Sequence, residues 1–346
     1  MGTLRVKVRP LPAWTNGLGR VLRAPALVLV LWICSLAITI PPAIALNDAI
    51  GRHLGSSMEA DAALDGTNYD WLQEFRAQAS SLGRSLRTDV IGFAAVLDNA
   101  SALADVNFRP MVVVVSAMVF ASLVWFLSPG IICRLAVDTP LGAGSILGVA
   151  GTFGFRMAKL GVVAAGVYGA LFLSVHAWLF DEVFDRTTRD MTVERTAFFV
   201  RLALYGLFFL LVAAVNAVFD FARVRLVVED RRSTVASIAA ATRFIRNNAG
   251  AACGVYVLNV ASFVLVAGVY AVVAPGAGGG YWNAWYAFIV GQLYVAARLA
   301  VKLAFWGSEI AALQARFDCP GFVRPRPGTI GVEVSASSSS PLPQRP

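Results

Sequence analysis

The stretch from Phe198 to Asn248 reads FFVRLALYGLFFLLVAAVNAVFDFARVRLVVEDRRSTVASIAAATRFIRNN. It begins with about twenty residues that carry almost no charge, continues into a band of arginines and ends in a short amphipathic segment. A hydrocarbon core about 30 Å thick is crossed by roughly 20 apolar residues at about 1.5 Å per residue. The stretch is therefore typical of a transmembrane helix that leaves the bilayer beside the arginines, followed by a helix on that membrane surface.

The rest of the chain has the same character. Of its 346 residues, 58% are hydrophobic and only 14% are charged, which is far more apolar than a soluble domain. Helices are expected because backbone groups in lipid must be satisfied within the segment. Six stretches are long enough to span: Ala24–Leu46, Met111–Leu135, Leu160–Phe180, Phe198–Phe221, Gly250–Val273 and Trp282–Lys302. The predicted fold class is an all-α integral membrane protein, a six-helix transmembrane bundle with amphipathic interfacial helices.

The distribution of charge predicts the orientation of the bundle. With the N-terminus in the cytoplasm, 20 of the 29 Lys and Arg residues fall on the cytoplasmic side and 14 of the 21 acidic residues on the other side. The positive-inside rule therefore predicts that both chain ends are cytoplasmic. The net charge of +8 is explained by this topology, so we predict contacts with membrane lipids and no nucleic-acid partner.

Three parts of the chain are distinguished by composition. Residues 1–23 form a basic cytoplasmic leader, residues 24–318 form the six-span membrane domain, and residues 319–346 form a Pro- and Ser-rich tail that we expect to be disordered. Residues 47–110 form a helical extracytoplasmic loop, either a cap over the bundle or a site for a protein partner. A signal-peptidase-like triplet at residues 43–45 makes cleavage of the first span an alternative, although its length favours a retained anchor.

Four polar side chains within the predicted spans are the candidates for a site inside the membrane. Asn216 and Asp220 lie four residues apart on the fourth span, Asn259 on the fifth and Gln292 on the sixth. Ionisable groups inside a membrane are candidates for a transport path. The same side chains could instead join helices by hydrogen bonds, with Asp220 paired to Arg223 three residues further on.

Basic side chains gather at the predicted cytoplasmic helix ends. Long cationic side chains lay their stems along lipid and place the charge among the headgroups. We therefore predict inner-leaflet lipid contacts for eight of them: Arg223, Arg225, Arg231, Arg232, Arg243, Arg246, Arg298 and Lys302. Small residues at four-residue spacing (Gly161, Ala165 and Gly169) predict a close helix approach, within the chain or in a homo-oligomer.

The sequence contains no recognisable catalytic or cofactor motif. There is no G-x-S-x-G and no phosphate-binding loop. His53 and His176 lie near acidic residues on the outer side, which makes a metal site a minor alternative, but neither is in a ligand motif. Four cysteines without C-x-x-C argue against a disulfide framework or zinc site. We predict that the protein is not an enzyme and binds no cofactor or metal.

Two long runs of sequence carry a resemblance. They are VHAWLFDEVFDRTTRDMTVERTAFFVRLALYG with NAVFDFARVRLVVEDRRS, and YDWLQEFRAQASSLG with IGFAAVLDNASAL. The chain resembles, over residues 25–318, a group of bacterial six-helix inner-membrane proteins with no established activity. The resemblance implies a bacterial cytoplasmic membrane and assigns no catalytic residue.

Two functions are compatible with these observations. The first is a structural, scaffolding or accessory role, which a sealed core with Asn216, Asn259 and Gln292 bonded to one another would favour. The second is a transporter or lipid-handling permease, which a cavity reaching the membrane midplane would favour.

Overall fold

The computed structural model describes residues 9–58, 61, 68–79, 82–86, 92–107, 109–137, 141–275 and 281–317. All regular secondary structure within these ranges is helical. The main helices are α1 Pro10–Leu22, α2 Pro25–Leu54, α3 Tyr69–Gln78, α4 Phe93–Ala104, α5 Met111–Ala136, α6 Ala143–Thr188, α7 Glu194–Val228, α8 Thr234–Asn247, α9 Ala249–Val273 and α10 Tyr281–Phe317. The predicted disordered tail, residues 319–346, lies outside the described residues.

Six of these helices, α2, α5, α6, α7, α9 and α10, are long and apolar enough to cross a membrane. They correspond one to one with the six predicted stretches, so the predicted fold class is confirmed. The chain is a multi-pass membrane protein.

The core of the bundle is concentrated near one end. We call this the inner end: it is the end where α2 begins and α5 stops, and the charge count predicts that it faces the cytoplasm. Buried apolar side chains there include Ile132 of α5, Leu160 of α6, Phe221 of α7 and Trp306 of α10. The opposite, outer halves of the spans expose large apolar side chains, as expected for surfaces that face lipid.

Several helices extend beyond the predicted spans. The helix α2 continues past its internal prolines to Leu54, and α7 runs from Glu194 to Val228. The sixth helix was predicted to continue past its span through Gln314; α10 reaches Phe317, with apolar side chains buried inside the bundle. The glycine-containing segment before the third span is continuous with that span. It forms the first half of α6, and its Val149 and Phe153 pack into the core.

The predicted basic leader contains the packed helix α1. Its Arg20 donates to the Leu135 carbonyl of α5 at 2.7 Å and to the Gln314 side chain of α10 at 2.6 Å. At Gly17, α1 crosses α10 so closely that an added Cβ would lie 2.3 Å from the Ser308 backbone nitrogen. Both helices need a small residue at this crossing, and α10 supplies Gly307.

The outer loop is attached to the bundle through the end of α4. The Ala104 carbonyl lies 2.7 Å from His176 Nε2 of α6, and the Tyr205 hydroxyl of α7 donates to the Asp105 carboxylate. Arg201 of α7 lies 3.6 Å from the same carboxylate. These contacts fix α4 above the third and fourth spans.

Tyr205→Phe removes the hydroxyl that bonds Asp105, and we expect amide hydrogen exchange in residues 93–107 to become about tenfold faster. A hydrogen bond to a charged group contributes about 1.5–3 kcal/mol, and the lower end of that range corresponds to this change. Tyr69→Phe on the exposed surface of α3 is the matched control and should leave exchange unchanged. Equal exchange in both variants would show that α4 is held by other contacts.

Candidate functional site

The polar centre of the bundle is the carboxylate of Asp220, which is only 1% exposed. Asn216 donates to Asp220 at 3.0 Å, and the Tyr256 hydroxyl of α9 donates to the same oxygen at 3.2 Å. Asn216 also donates to the Tyr256 hydroxyl at 2.9 Å and accepts from the Tyr168 hydroxyl of α6 at 3.1 Å. Three spanning helices therefore meet in one hydrogen-bond network.

Two cations flank this carboxylate. Arg223 lies 3.6 Å from Asp220 and is buried, with its guanidinium 4.1 Å from the centre of the Trp125 ring of α5. Lys302 of α10 lies 3.8 Å from Asp220, and 45% of its side chain is exposed. The ring of Trp306 lies near both cations, with its centre 5.4 Å from each. Aromatic faces stabilise cations that have lost water.

A second carboxylate, Glu309 of α10, lies in the same region and is fully buried. It interacts electrostatically with Asp220, Lys302 and Arg223, but neither of its oxygens has a hydrogen-bond partner among the described residues. We call Asp220, Arg223, Lys302 and Glu309 the charged cluster. Its two acids and two bases balance in formal charge.

Further polar atoms around the charged cluster are buried without a partner. Asn259 of α9 donates to Ser308 at 2.8 Å, one residue before Glu309, while its own carbonyl oxygen is unpaired. The Nε atom of Arg223 and the indole nitrogen of Trp306 are also unpaired among the described residues. Buried polar groups are normally satisfied, so such a concentration of exceptions marks a candidate functional site.

The charged cluster lies within the depth of the membrane. The helix α9 has 25 residues and none is charged, so its length of about 37 Å is close to that of a bilayer core with its interfaces. Tyr256 is seven residues into α9, about 10 Å from its inner end. Since Tyr256 bonds Asp220, the cluster is in the inner half of the bilayer.

A cavity of about 580 Å³ opens beside the cluster, between α2, α5, α9 and α10. Its walls are mostly apolar and include Phe120, Phe263 and Phe305, but Arg298 and Lys302 also line it. We call it the cationic cavity. Arg298 is one turn outward of Lys302 on α10, about 6 Å further from the inner end along the helix axis.

The contact of Arg298 with the inner headgroups stays a prediction. The guanidinium of Arg298 lies 5.5 Å from the ring centre of Tyr294, one turn toward the outer end. Side chains of an α-helix point toward the N-terminus of the helix. Because α10 begins at the outer end, the side chain of Arg298 extends toward that end. No ion pair or hydrogen bond joins Arg298 to another described residue.

The other predicted lipid contacts fall into two groups. Arg223 and Arg225 are buried in protein; Arg225 donates to the Ala240 carbonyl of α8 at 2.6 Å and pairs with Glu229 at 2.7 Å. Arg231 also pairs with Glu229. Three arginines are exposed at the inner end, where contact with headgroups remains a prediction: Arg232, Arg243 and Arg246.

The four predicted polar residues do not form one network. Asn216 and Asp220 are directly bonded, and Asn259 lies beside the cluster through Ser308. Gln292 lies apart, accepting from Trp32 of α2 at 3.0 Å in an apolar groove between α2 and α10. Asn216, Asn259 and Gln292 are therefore not bonded to one another.

The two histidines are placed apart from the charged cluster. His53 packs edge-on against Trp71 and Phe75, while His176 contacts Ala104. Among the residues that the structure describes, no group of three or more His, Cys, Asp or Glu side chains is arranged to hold a metal ion.

Comparisons with known proteins add no family to this description. None of the protein-family models matches the chain, no curated protein is significantly similar to it, and no solved structure is significantly similar to its fold. The class of protein is therefore defined by the fold alone: a six-span membrane protein with a charged cluster and a cationic cavity.

Proposed function

We propose that the protein is a transporter or permease for an anion that carries an apolar chain. The observation that carries this proposal is the pair of cations, Arg298 and Lys302, in the wall of an apolar cavity between four spanning helices. Cations inside a membrane are costly unless they face a pathway or a partner. Lys302 has Asp220 as a partner, whereas the contact of Arg298 within the described part of the chain is the aromatic ring of Tyr294.

The chemistry of the cationic cavity favours an amphipathic occupant. Its volume of about 580 Å³ is within the range of small-molecule sites. Phenylalanine and aliphatic walls suit an acyl or alkyl chain, and the two cations suit a carboxylate, phosphate or sulfonate. Ser35 of α2 supplies a further hydroxyl in the wall. We propose no enzymatic step for this site.

The setting proposed for this activity is a bacterial cytoplasmic membrane. The excess of basic residues at the inner end and the resemblance to bacterial inner-membrane proteins support it. The exposed arginines at that end would contact anionic headgroups, and the outer loop of residues 47–110 would be the place for a protein partner. A structural or accessory role is the alternative that a negative binding result would favour.

The test is binding to the purified protein in nanodiscs of phosphatidylcholine, measured by isothermal titration calorimetry below micellar concentrations. Three probes separate charge from chain: dodecyl sulfonate, zwitterionic dodecyl sulfobetaine and chainless methanesulfonate. We expect dodecyl sulfonate to bind at least tenfold more tightly than either of the others. Equal affinity for the sulfonate and the sulfobetaine would contradict the proposal.

Arg298→Gln should weaken dodecyl sulfonate binding by about 10- to 100-fold. A hydrogen bond to a charged group contributes on the order of 1.5–3 kcal/mol, and the substitution removes the cation without disturbing an ion pair. The matched control is Arg195→Gln, which removes an exposed arginine at the outer start of α7. Unchanged affinity in Arg298→Gln would exclude the cationic cavity as the binding site.

A further inference from the structure

We propose that Glu309 takes up a proton when an anion occupies the cationic cavity, so that the protein binds the anion and the proton together. This inference rests on the proposed function and identifies the proton as the ion whose binding is coupled to that of the anion. It starts from the fully buried Glu309 carboxyl group, which has no hydrogen-bond partner among the described residues.

Ionised Glu309 depends on the cations of the charged cluster for its stability. The groups that act on it are Asp220 and Arg223 of α7, Lys302 of α10 and the Tyr256 hydroxyl of α9. A buried carboxylate without hydrogen bonds is tolerated only while nearby positive charge compensates it. The two acids and two bases of the charged cluster balance in formal charge. Glu309 is therefore compensated as long as the charge of Lys302 acts on Asp220 and Glu309.

Lys302 connects the charged cluster to the cationic cavity. Its ammonium group lies 3.8 Å from Asp220, while its side chain is 45% exposed and lines the cavity with Arg298. An anion held by both cations would therefore draw the charge of Lys302 toward itself. Asp220 and Glu309 would then share Arg223, whose guanidinium is fixed beside Trp125.

The proton compensates for that change. A buffer acid or hydronium ion in the aqueous phase loses a proton, a carboxyl oxygen of Glu309 gains it, and no other covalent bond changes. Glu309 is the site of uptake because Asp220 keeps three hydrogen-bonding or ionic partners on its carboxylate. Linkage is reciprocal, so a bound proton must favour the anion as much as the anion favours the proton.

The experiment measures protons taken up per dodecyl sulfonate bound. Sulfonate does not titrate between pH 5 and 9, so calorimetry in two buffers of different ionisation enthalpy counts protons bound by the protein. In nanodiscs of phosphatidylcholine the natural protein should take up close to one proton at some pH in this range. Binding without proton uptake throughout the range would overturn the inference and leave the proposed function intact.

Glu309→Gln places a neutral amide where the protonated acid would lie. We expect it to bind dodecyl sulfonate at least as tightly as the natural protein, with proton uptake falling from about one to about zero and with affinity independent of pH. Asp230→Asn, at an exposed carboxylate of the inner end, should keep full uptake. Undiminished uptake in Glu309→Gln would assign the proton to another group and overturn the proposal.

Two further results separate the possible failures. If the natural protein does not bind dodecyl sulfonate, the proposed function fails before the proton is considered. If Glu309→Gln does not fold, the two-buffer measurement on the natural protein still decides whether a proton accompanies the anion. The pH dependence of its affinity then provides a second readout: as the pH rises, binding should weaken by up to tenfold per pH unit across the range in which a proton is taken up.

Discussion

Replacement of Asp220 by Asn is expected to lower the free energy of unfolding by about 3 kcal/mol. Removing one partner of a buried ion pair costs about 3–5 kcal/mol, because the opposite charge remains buried without compensation. Among the described residues, Glu309 would then be the carboxylate left to compensate Arg223 and Lys302, and no hydrogen bond there orients it. The measurement is unfolding of the purified protein by SDS titration in mixed micelles.

The matched control is Asp230→Asn. Asp230 pairs with Arg156 at 2.7 Å, a shorter distance than either cation makes to Asp220, but its side chain is 56% exposed. Exposed ion pairs contribute about 0–1 kcal/mol, so this variant should stay within 1 kcal/mol of the natural protein. Equal stability of the two variants would mean that Asp220 does not stabilise the cluster.

A single methyl group at Gly17 is expected to separate α1 from α10. The Cβ of Gly17→Ala would lie 2.3 Å from the Ser308 nitrogen and 2.6 Å from its Cα, and backbone atoms cannot rotate away. Overpacking of this kind costs about 1–3 kcal/mol. We expect a loss of about 2 kcal/mol and faster amide exchange in residues 303–313.

Gly19→Ala is the control, and we expect it to raise the free energy of unfolding where Gly17→Ala lowers it. It lies on the same helix, and its nearest neighbour would be a terminal guanidinium nitrogen of Arg23 at 3.9 Å. Replacing a helical glycine with alanine stabilises by up to about 1 kcal/mol where space allows. If Gly17→Ala behaves like Gly19→Ala, then α1 does not dock on α10 as the structure describes.

Composition was sufficient to predict the six spans and the all-helical class. Apolar length is a property of the local sequence, and lipid leaves helices as the economical solution. Asp220 and Asn216 were also identified locally, because they interrupt an apolar run with a four-residue spacing. Their pairing with each other follows from helix periodicity.

The rest of the site required tertiary information. Glu309 was missed because the sixth helix was predicted to continue past Lys302 through Gln314 in the cytoplasm, where a carboxylate is hydrated and needs no partner. Tyr256 and Tyr168 resemble ordinary interfacial aromatics until α6 and α9 bring them to Asn216. The outward direction of Arg298 could have been predicted, because it follows from the polarity of α10.

The crossing of α1 and α10 has a consequence for biosynthesis. Gly17 and Gly307 are 290 positions apart, so the ribosome adds nearly the whole chain between the two halves of this contact. At roughly 5–20 residues per second, α1 would wait about 15–60 s for its partner. During that interval its apolar face would need the membrane surface or a chaperone as a temporary partner, and the inner end would close only after the last helix has been made.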